Sequence, residues 1–495
     1  MDNTGHLLWI ILAVPVAFAG ICRIFRSPRS ILSFMCAGVF AETALVLAAA
    51  GYTFYNGTLS SIGQWFYIDS LSAFHLLVMM LVFCMSTVYG CHYFDEKIDE
   101  GVFTTRLARR YASLWFASLA AMSLVLVSNN LGLMWVGMET TTLVTAFLIC
   151  VYSNKTAVEA MWKYLIICSV GIAFAFMGTL LVAASAHTLE IQLGEALLWT
   201  KLVTVAGGLN PALVKAGFVF ILVGYGTKAG LAPMHTWLPD AHSQAPAPVS
   251  AIFSGFMLNA ALYCIMRYIP LVDQVSGASN FSRELLVLFG IGTIIISAAF
   301  ILSQHDLKRL LAYHSVEHLG IITLGLGLGP AGIFAALFHT LNHSVCKSLG
   351  FFCAGRLGQI YGTYDMREIS GSVHLAPLWG GGLMGSLIAL IGVAPFALFM
   401  SEFLIVKAAL ETNTIWAMVL FLIGSSVVFI GALKHAIPIA WGESPAVHAS
   451  SGQSTFFEKG LVTGALALLL VLGVWMPDML SEMLSRAADI VGGQN

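Results

Sequence analysis

A succession of apolar runs, each long enough to cross a bilayer, constrains this chain more than any other feature. Scanned for stretches of roughly 17–25 residues, the sequence offers about fourteen. They lie near 6–25, 31–54, 69–91, 111–128, 131–152, 161–185, 215–237, 247–269, 285–303, 308–328, 331–355, 376–409, 415–440 and 458–476. Charged residues are 10% of the 495 and hydrophobic ones 58%, against about 25% charged in a soluble domain. In hydrocarbon a backbone must satisfy its own N–H and C=O groups, so such runs fold as helices. The expectation is an all-α integral membrane protein of about fourteen transmembrane helices. The first run lacks a basic leader and a small-residue cleavage site, so it reads as a first helix and not as a signal peptide. Connections are short apart from 92–110, 186–214, 356–375 and 441–457, which leaves no room for a soluble domain.

Orientation follows from the 23 Lys and Arg. Alternate loops collect fourteen of them: Arg23, Arg26, Arg29, Lys97, Arg106, Arg109, Arg110, Lys155, Lys308, Arg309, Arg356, Arg367, Lys434 and Lys459. The opposite side has five, Lys201, Lys215, Arg267, Arg283 and Arg486, and four fall within spans: Lys163, Lys228, Lys347 and Lys407. The richer side faces the cytoplasm, which places both termini outside, in a bacterial or archaeal plasma membrane.

Redox and nucleotide chemistry are not expected within the chain. The nine cysteines are scattered singly, with no C-x-x-C and no Cys/His cluster, which argues against iron–sulfur or structural zinc sites. A P-loop and a G-x-G-x-x-G at a strand–helix junction are both absent from the sequence. No cofactor, resident metal or nucleic-acid partner is expected.

Two regions are alike in plan, 111–269 and 285–440, each of about five helices. They follow an N-terminal three-helix region, 1–110, and precede a C-terminal loop and last helix, 441–495. In each, the fourth helix is interrupted by proline: Pro233 in "TKAGLAPMHTWLPD" and Pro395 in "LIGVAPFALFMSEF". Five is odd, so the second copy enters the membrane from the opposite side. Such inverted repeats (helices 4–8 and 9–13, with helices 7 and 12 broken) carry ion sites at their breaks.

Ionisable residues inside apolar runs are the functional candidates, because a charge at the bilayer centre costs about 2.5–3.5 kcal/mol on insertion scales. Glu139 lies mid-run in "LGLMWVGMETTTLVTAFLIC"; a structural ion pair or a buried protonated acid is the alternative to a functional carboxylate. Lys228 precedes Pro233, where the lost backbone donor opens the helix to water. Partly desolvated there, a lysine is suited to taking up and releasing a proton. His235 follows the break, as a core or a relay histidine. In "HTLNHSVCKS", His339, His343 and Lys347 recur every fourth residue and so share one helix face. Imidazoles at that spacing occur in zinc sites, but no acid within the same helix completes a set and Lys347 adds a like charge. Core packing remains possible; a proton wire accounts for all three. "AYHSVEHLGIITLG" adds His314, Glu317 and His318, and Glu402 and Lys407 follow Pro395. Lys163, near the start of its span, either snorkels or partners Glu139.

On these residues the chain resembles the antiporter-like membrane subunits of respiratory complex I and the energy-converting NiFe hydrogenases, from about the third helix to the fourteenth. The specific stretches are "TKAGLAPMHTWLPDAHSQAPAPVSAIFSG", "DLKRLLAYHSVEHLGII" and "HTLNHSVCKSLGFFCAGRL". "SVEH" and "PFALFMSEFLIVKAAL" look most like the hydrogenase-4 F-type branch, with the M-type subunits of NADH–quinone oxidoreductase close behind. The resemblance implies fourteen helices with inverted repeats. It also implies a Glu139/Lys228 pair in the first half-channel, an ionisable group at His343/Lys347, and a terminal carboxylate at Glu402. Implied partners are further antiporter-like subunits, a channel-like connecting subunit and a peripheral hydrogenase-like and iron–sulfur arm whose redox chemistry drives proton or sodium translocation, as in formate hydrogenlyase-type complexes. A multisubunit Na⁺/H⁺ antiporter would share the same residues. The chain departs from many M-type relatives at Asn259, where they carry a lysine linking the half-channels. It also ends soon after helix 14, without the lateral helix of L-type subunits.

Overall fold

The computed structural model describes residues 5–61, 63–187, 189, 194–275, 277, 280–443 and 454–493. The first group of helices is α1 (His6–Ile21), α2 (Pro28–Asn56) and α3 (Ser70–Tyr93). A small antiparallel hairpin, Leu59–Ser60 against Tyr67–Ile68, precedes α3, and the short α4 (Asp95–Asp99) follows it. Next come α5 (Thr105–Val127), α6 (Leu131–Ile149), α7 (Lys155–Ala184), the short α8 (Trp199–Thr204), α9 (Pro211–Ala229) and α10 (Trp237–Gln244). A single rod then runs through α11 (Ala247–Ile252), a π turn at Phe253–Met257 and α12 (Leu258–Asp273). The rest is α13 (Phe281–Ile301), α14 (Leu307–Gly327), α15 (Gly329–Tyr361), α16 (Ser372–Leu375), α17 (Pro377–Leu390), α18 (Ala397–Glu411), α19 (Ile415–Trp441), α20 (Phe456–Val474) and α21 (Asp478–Val491).

The molecule is an all-α multi-pass membrane protein. Among the described residues, ten helical stretches are long and apolar enough to cross a bilayer, and His6–Ile21 and Pro377–Leu390 are shorter apolar helices. Two expected spans differ in kind. The run at 215–237 divides into α9 and α10, and that at 376–409 into α17 and α18. α14 and α15 are long but carry Glu317, Lys347 and four histidines. Helix starts follow local side-chain chemistry. Asp69, Asn130, Asn154, Asn210 and Asp306 each accept a backbone N–H of the first turn, and Thr455 with Glu458 forms a capping box. α21 is an additional helix beyond the expected last span; it is amphipathic and buries Leu484, Ala487, Ala488 and Val491. Most of the expected loop 441–457 and both chain ends lie outside the described residues.

Both interruptions have the same local build. Each first half ends in Gly-x-Ala-Pro: Gly230-Leu231-Ala232-Pro233 and Gly392-Val393-Ala394-Pro395. Each glycine is left-handed, at φ +82° and φ +66°, and each Ala–Pro peptide is cis. The residue after the glycine bonds back five residues, Leu231 N–H to Gly226 O at 2.8 Å and Val393 N–H to Ile388 O at 3.3 Å, the turn that closes a helix with a left-handed residue. Neighbouring helices satisfy freed backbone groups: Thr293 Oγ1 accepts the Ala232 N–H at 3.1 Å, and Asn342 Nδ2 donates to Ala397 O at 3.2 Å.

The basic loops gather at one end of the bundle. There Arg29 pairs with Asp95 and Asp99, Arg356 with Glu96, and Asp306 bridges Asp365. At the other end Phe66 bridges Ser128, Asn130 bridges Leu198, and Arg486 donates to Phe54 O. Two cations expected in loops are instead buried in helices. Lys308, in α14, donates to Ser243 O and Ala245 O. Arg267, in α12, forks onto Asp69 at 2.5 and 2.7 Å. The α11–α12 rod is enclosed on all sides, with α14 and α15 beside it, while α2, α7, α19 and α20 present apolar side chains outward.

Candidate functional site: a buried row of ionisable side chains

The row begins on α6. Glu139 is half-buried, one turn from the exposed Val136 and Leu143, so it borders an outward apolar face. Its Oε1 accepts from Ser169 Oγ of α7 at 2.8 Å, and its Oε2 is buried without a partner.

Lys228 is fully buried one residue before the end of α9, so the break delivers its amine to the core. Its Nζ donates to Thr142 Oγ1 at 2.9 Å and Tyr164 Oη at 2.5 Å, and lies 4.6 Å from the Tyr164 ring centre. Thr145 Oγ1 donates to Thr141 O at 2.6 Å, so the Tyr164 hydroxyl donates to Thr145 at 2.6 Å. The hydrogens of this chain all point away from the lysine, so its amine meets two acceptor oxygens. The expected direct pairing of Glu139 with Lys228 does not form: no carboxylate among the described residues lies within ion-pair distance of the amine, which hydroxyls satisfy instead. Lys163 does not partner Glu139 either. It is exposed and bridges Glu159 at 2.7 Å and Asp240 at 3.0 Å, because its position about two turns into α7 leaves it near the bundle end, where Asp240 also holds Arg309.

Beyond the break, His235 is buried beside Phe300 and Tyr313, with both ring nitrogens unpartnered. His242, on α10, is stacked on Phe351 of α15 at 4.9 Å, again with both nitrogens unpartnered. Asn259 follows the π turn on α12. It donates to Gly255 O and to Ser344 Oγ of α15, both at 3.0 Å, and its Oδ1 is free. A π turn inside a helix leaves carbonyls off the regular ladder, which suits a crossing point between the two halves.

The second group is continuous. His314 Nδ1 meets Glu317 Oε2 at 3.1 Å, and Lys347 Nζ donates to Leu311 O of α14. The His318 ring lies 6.5 Å from that of His314, 5.3 Å from that of His343 and 5.1 Å from that of His339. His318 Nδ1 and His339 Nε2 are 2.9 Å apart, and His339 Nδ1 is 2.8 Å from Ser401 Oγ. Ser401 gives its own hydrogen to Leu398 O at 2.9 Å. His339 therefore donates from Nδ1 to Ser401, leaving Nε2 as the acceptor for the Nδ1–H of His318. A Glu402 carboxylate oxygen lies within 4.8 Å of nitrogens of both rings. His343 has no partner for either nitrogen. Lys407 does not join the row: it is exposed and pairs with Glu411 at 3.7 Å, since its place in α18 turns it about 120° round the helix from the buried Ser401.

Several participants are not evident from charge patterning. Thr142, Thr145, Tyr164 and Ser401 matter through where they sit, and neutral hydroxyls carry no such signal in a sequence. Glu42, buried on α2 with neither oxygen partnered, was open to the reasoning that singles out Glu139, since it too is an acid within an apolar run. The G-x-A-P tetrapeptide marks both breaks and was readable directly.

Comparison with known proteins agrees with this architecture. Residues 128–428 match the family described as NADH:quinone oxidoreductase/Mrp antiporter, TM. A hydrogenase-4 component F homolog from Methylacidiphilum infernorum (isolate V4) is 36% identical over 422 residues, which are 85% of this chain and 87% of the relative. A chain of the membrane-bound sulfane sulfur reductase, an archaeal respiratory membrane complex, superposes with a TM-score of 0.86. It covers 98% of this chain and 97% of its own length, at 25% identity. A chain of the Mrp complex from Dietzia sp. DQ12-45-1b shares the fold over the full length of both, with a TM-score of 0.85 and 19% identity. This chain belongs to the NADH:quinone oxidoreductase/Mrp antiporter transmembrane family.

Proposed function

We propose that this chain is a proton-translocating membrane subunit of a redox-driven complex related to complex I, in which the buried row carries the proton. The observation that supports this most is a succession of polar groups in two clusters, Lys228 with Tyr164 in the half that holds the half-buried Glu139, and His318 with His339 beside the half-buried Glu402. Such groups are costly at membrane depth, and here they project from α6, α7, α9, α14, α15 and α18.

Counting each broken helix as one span supports a reading of fourteen crossings. The matching G-x-A-P breaks support reading helices 4–8 and 9–13 as an inverted pair, with the bounds 111–269 and 285–440. The gathering of basic loops at one end supports both termini lying outside. The cleft of about 170 Å³ lined by Glu159, Lys163, Asp240 and Arg309 is at that basic end, and serves as the inner-side inlet to the first break.

The relay runs as follows. Lys228, loaded from the inlet, holds its proton while Glu139 is anionic. A change of charge in a neighbouring membrane subunit, arriving at the outward face beside Glu139, removes that field, and Lys228 releases its proton sideways. His242 and Asn259 flank the crossing, with water admitted at the break carrying the proton to Lys347, the His314–Glu317 pair and the histidine chain, and so to Glu402. The chain has no redox group of its own in this scheme. Further antiporter-like subunits, a connecting subunit and a peripheral arm of the NiFe-hydrogenase or formate hydrogenlyase type supply the driving reaction.

The test uses inverted membrane vesicles containing the whole complex. Lys228→Ala and Glu139→Ala should abolish redox-driven acidification while the complex assembles. Full pumping by Lys228→Ala would refute the role. Replacing sodium by choline should leave transport unchanged, and loss of transport would select a sodium-coupled reading.

A further inference from the structure

We propose that His318, His339 and Glu402 form a binding site for a divalent transition-metal ion of the zinc type, assembled from α14, α15 and α18 where their nitrogen and carboxylate atoms come within 4.8 Å of one another. Two imidazoles and one carboxylate, with a water in the fourth place, are a set that zinc accepts, and borderline nitrogen ligands favour it over hard cations. Within α15 alone the set is incomplete; the acid is on another helix, which only folding brings near.

Geometry and tautomer both fit. Tetrahedral ligands at about 2.0–2.1 Å from zinc stand roughly 3.3 Å apart, and His318 Nδ1 and His339 Nε2 are already 2.9 Å apart. Opening the seat takes a separation of a few tenths of an ångström between the two rings and an approach of the Glu402 oxygen from within 4.8 Å. Ser401 holds the Nδ1–H of His339, so its Nε2 lone pair already faces the site, as when a partner orients a metal-bound histidine. His318 is fully buried and its Nε2 has no partner. Its hydrogen moves from Nδ1 to Nε2, freeing Nδ1 for the ion with no proton released from the ring. The neighbouring trio of His314, Glu317 and His318 is the poorer seat, because His314 and Glu317 are already bonded to each other.

Like-charge repulsion is weaker than the primary sequence suggests. Lys347 is two helical turns beyond His339, about 12 Å along the axis, and its ammonium is turned to Leu311 O. A cleft of about 480 Å³ between α18 and α19, walled mostly by apolar side chains such as Phe399, Phe403 and Phe421, has Glu402, Ser425 and Ser426 among its lining residues. The Ser425 hydroxyl in it has no partner.

An ion seated there occupies both lone pairs through which His318 and His339 exchange a hydrogen, so it stops the wire; this consequence, unlike the binding, rests on the proposed function. The experiment has two arms. In the first, the full chain in lipid nanodiscs is dialysed against Zn²⁺ and its metal content and zinc X-ray absorption are measured. One zinc per chain is expected, with two imidazoles in its ligand shell at about 2.0–2.1 Å. Stoichiometric binding should be lost in His339→Ala and Glu402→Gln, weakened about 10–100-fold in Ser401→Ala and unchanged in the exposed Lys407→Ala. Glu402→Gln and Ser401→Ala are near-isosteric, and elution as a single monodisperse species confirms that they fold. No bound zinc on the wild type, or equal zinc on Glu402→Gln, overturns the site. In the second arm, Zn²⁺ is added to vesicles containing the complex. Inhibition that Ser401→Ala shifts to higher zinc by the same factor supports the site and the wire together. Zinc bound with transport unimpeded leaves the site standing and refutes the course of the relay through it.

Discussion

Replacing Tyr164 by Phe removes one oxygen and leaves the rest of the Lys228 pocket in place. The lysine keeps Thr142 Oγ1 at 2.9 Å, and the phenyl face keeps its attraction for the ammonium. Thr145 keeps its own acceptor, Thr141 O. What is lost is the bond to Tyr164 Oη at 2.5 Å. A hydrogen bond to a charged group contributes about 1.5–3 kcal/mol and to a neutral one about 0.5–1.5 kcal/mol. Loading Lys228 with a proton therefore becomes harder by about 1–1.5 kcal/mol, or roughly 5- to 13-fold at about 1.36 kcal/mol per decade. Where loading limits turnover, redox-driven acidification of inverted vesicles should slow by that factor, with assembly and the redox reaction intact. Tyr225→Phe is the matched control, since that hydroxyl is also buried but has no partner, and it should pump normally. Wild-type pumping by Tyr164→Phe, or equal impairment by Tyr225→Phe, would show that the hydroxyl chain plays no part in loading the lysine.

Other substitutions probe separate joints of the structure. Glu139→Gln keeps the Ser169 contact and removes the charge, so pumping should fall as far as in Glu139→Ala; a Gln variant as active as wild type assigns Glu139 a packing role. Asp69→Ala strands the buried Arg267, which otherwise also binds Ser72 and Tyr263. It should lower unfolding stability in micelles by about 3–5 kcal/mol, and most of the loss should return in Asp69→Ala/Arg267→Met. Gly392→Ala forces a left-handed residue, at about 1–3 kcal/mol, and drives a methyl into the Glu402 carboxylate. Transport should be lost there, while Gly381→Ala, with open space around it, should be silent. Asn259→Leu cuts the link to Ser344 and should uncouple the halves, seen as slowed pumping with normal assembly.

Much of the candidate site was open to sequence reasoning because a charge in an apolar run is conspicuous whatever surrounds it. Glu139, Lys228, His339, His343 and Lys347 stand out on that ground alone. The same reasoning overreached at the edges. Lys163 and Lys407 lie inside apolar runs, yet each reaches an exposed acid. Arg267 and Lys308 sit near run ends and are buried. Whether a cation one or two turns from a helix end snorkels or turns inward depends on which neighbour offers an acceptor, and that neighbour is far away in sequence.

The amino-acid sequence by itself determined the membrane class, the succession of helices, the two proline breaks and the helix face shared by His339, His343 and Lys347. These are properties of hydropathy and helical period, and they need no knowledge of neighbours. Tertiary structure alone decided that Lys228 rests on hydroxyls and not on Glu139, that Asn259 reaches Ser344, and that Glu402 joins His318 and His339. A hydrogen bond is settled within a few tenths of an ångström between side chains on different helices, and helix packing, which no linear pattern encodes, sets that distance.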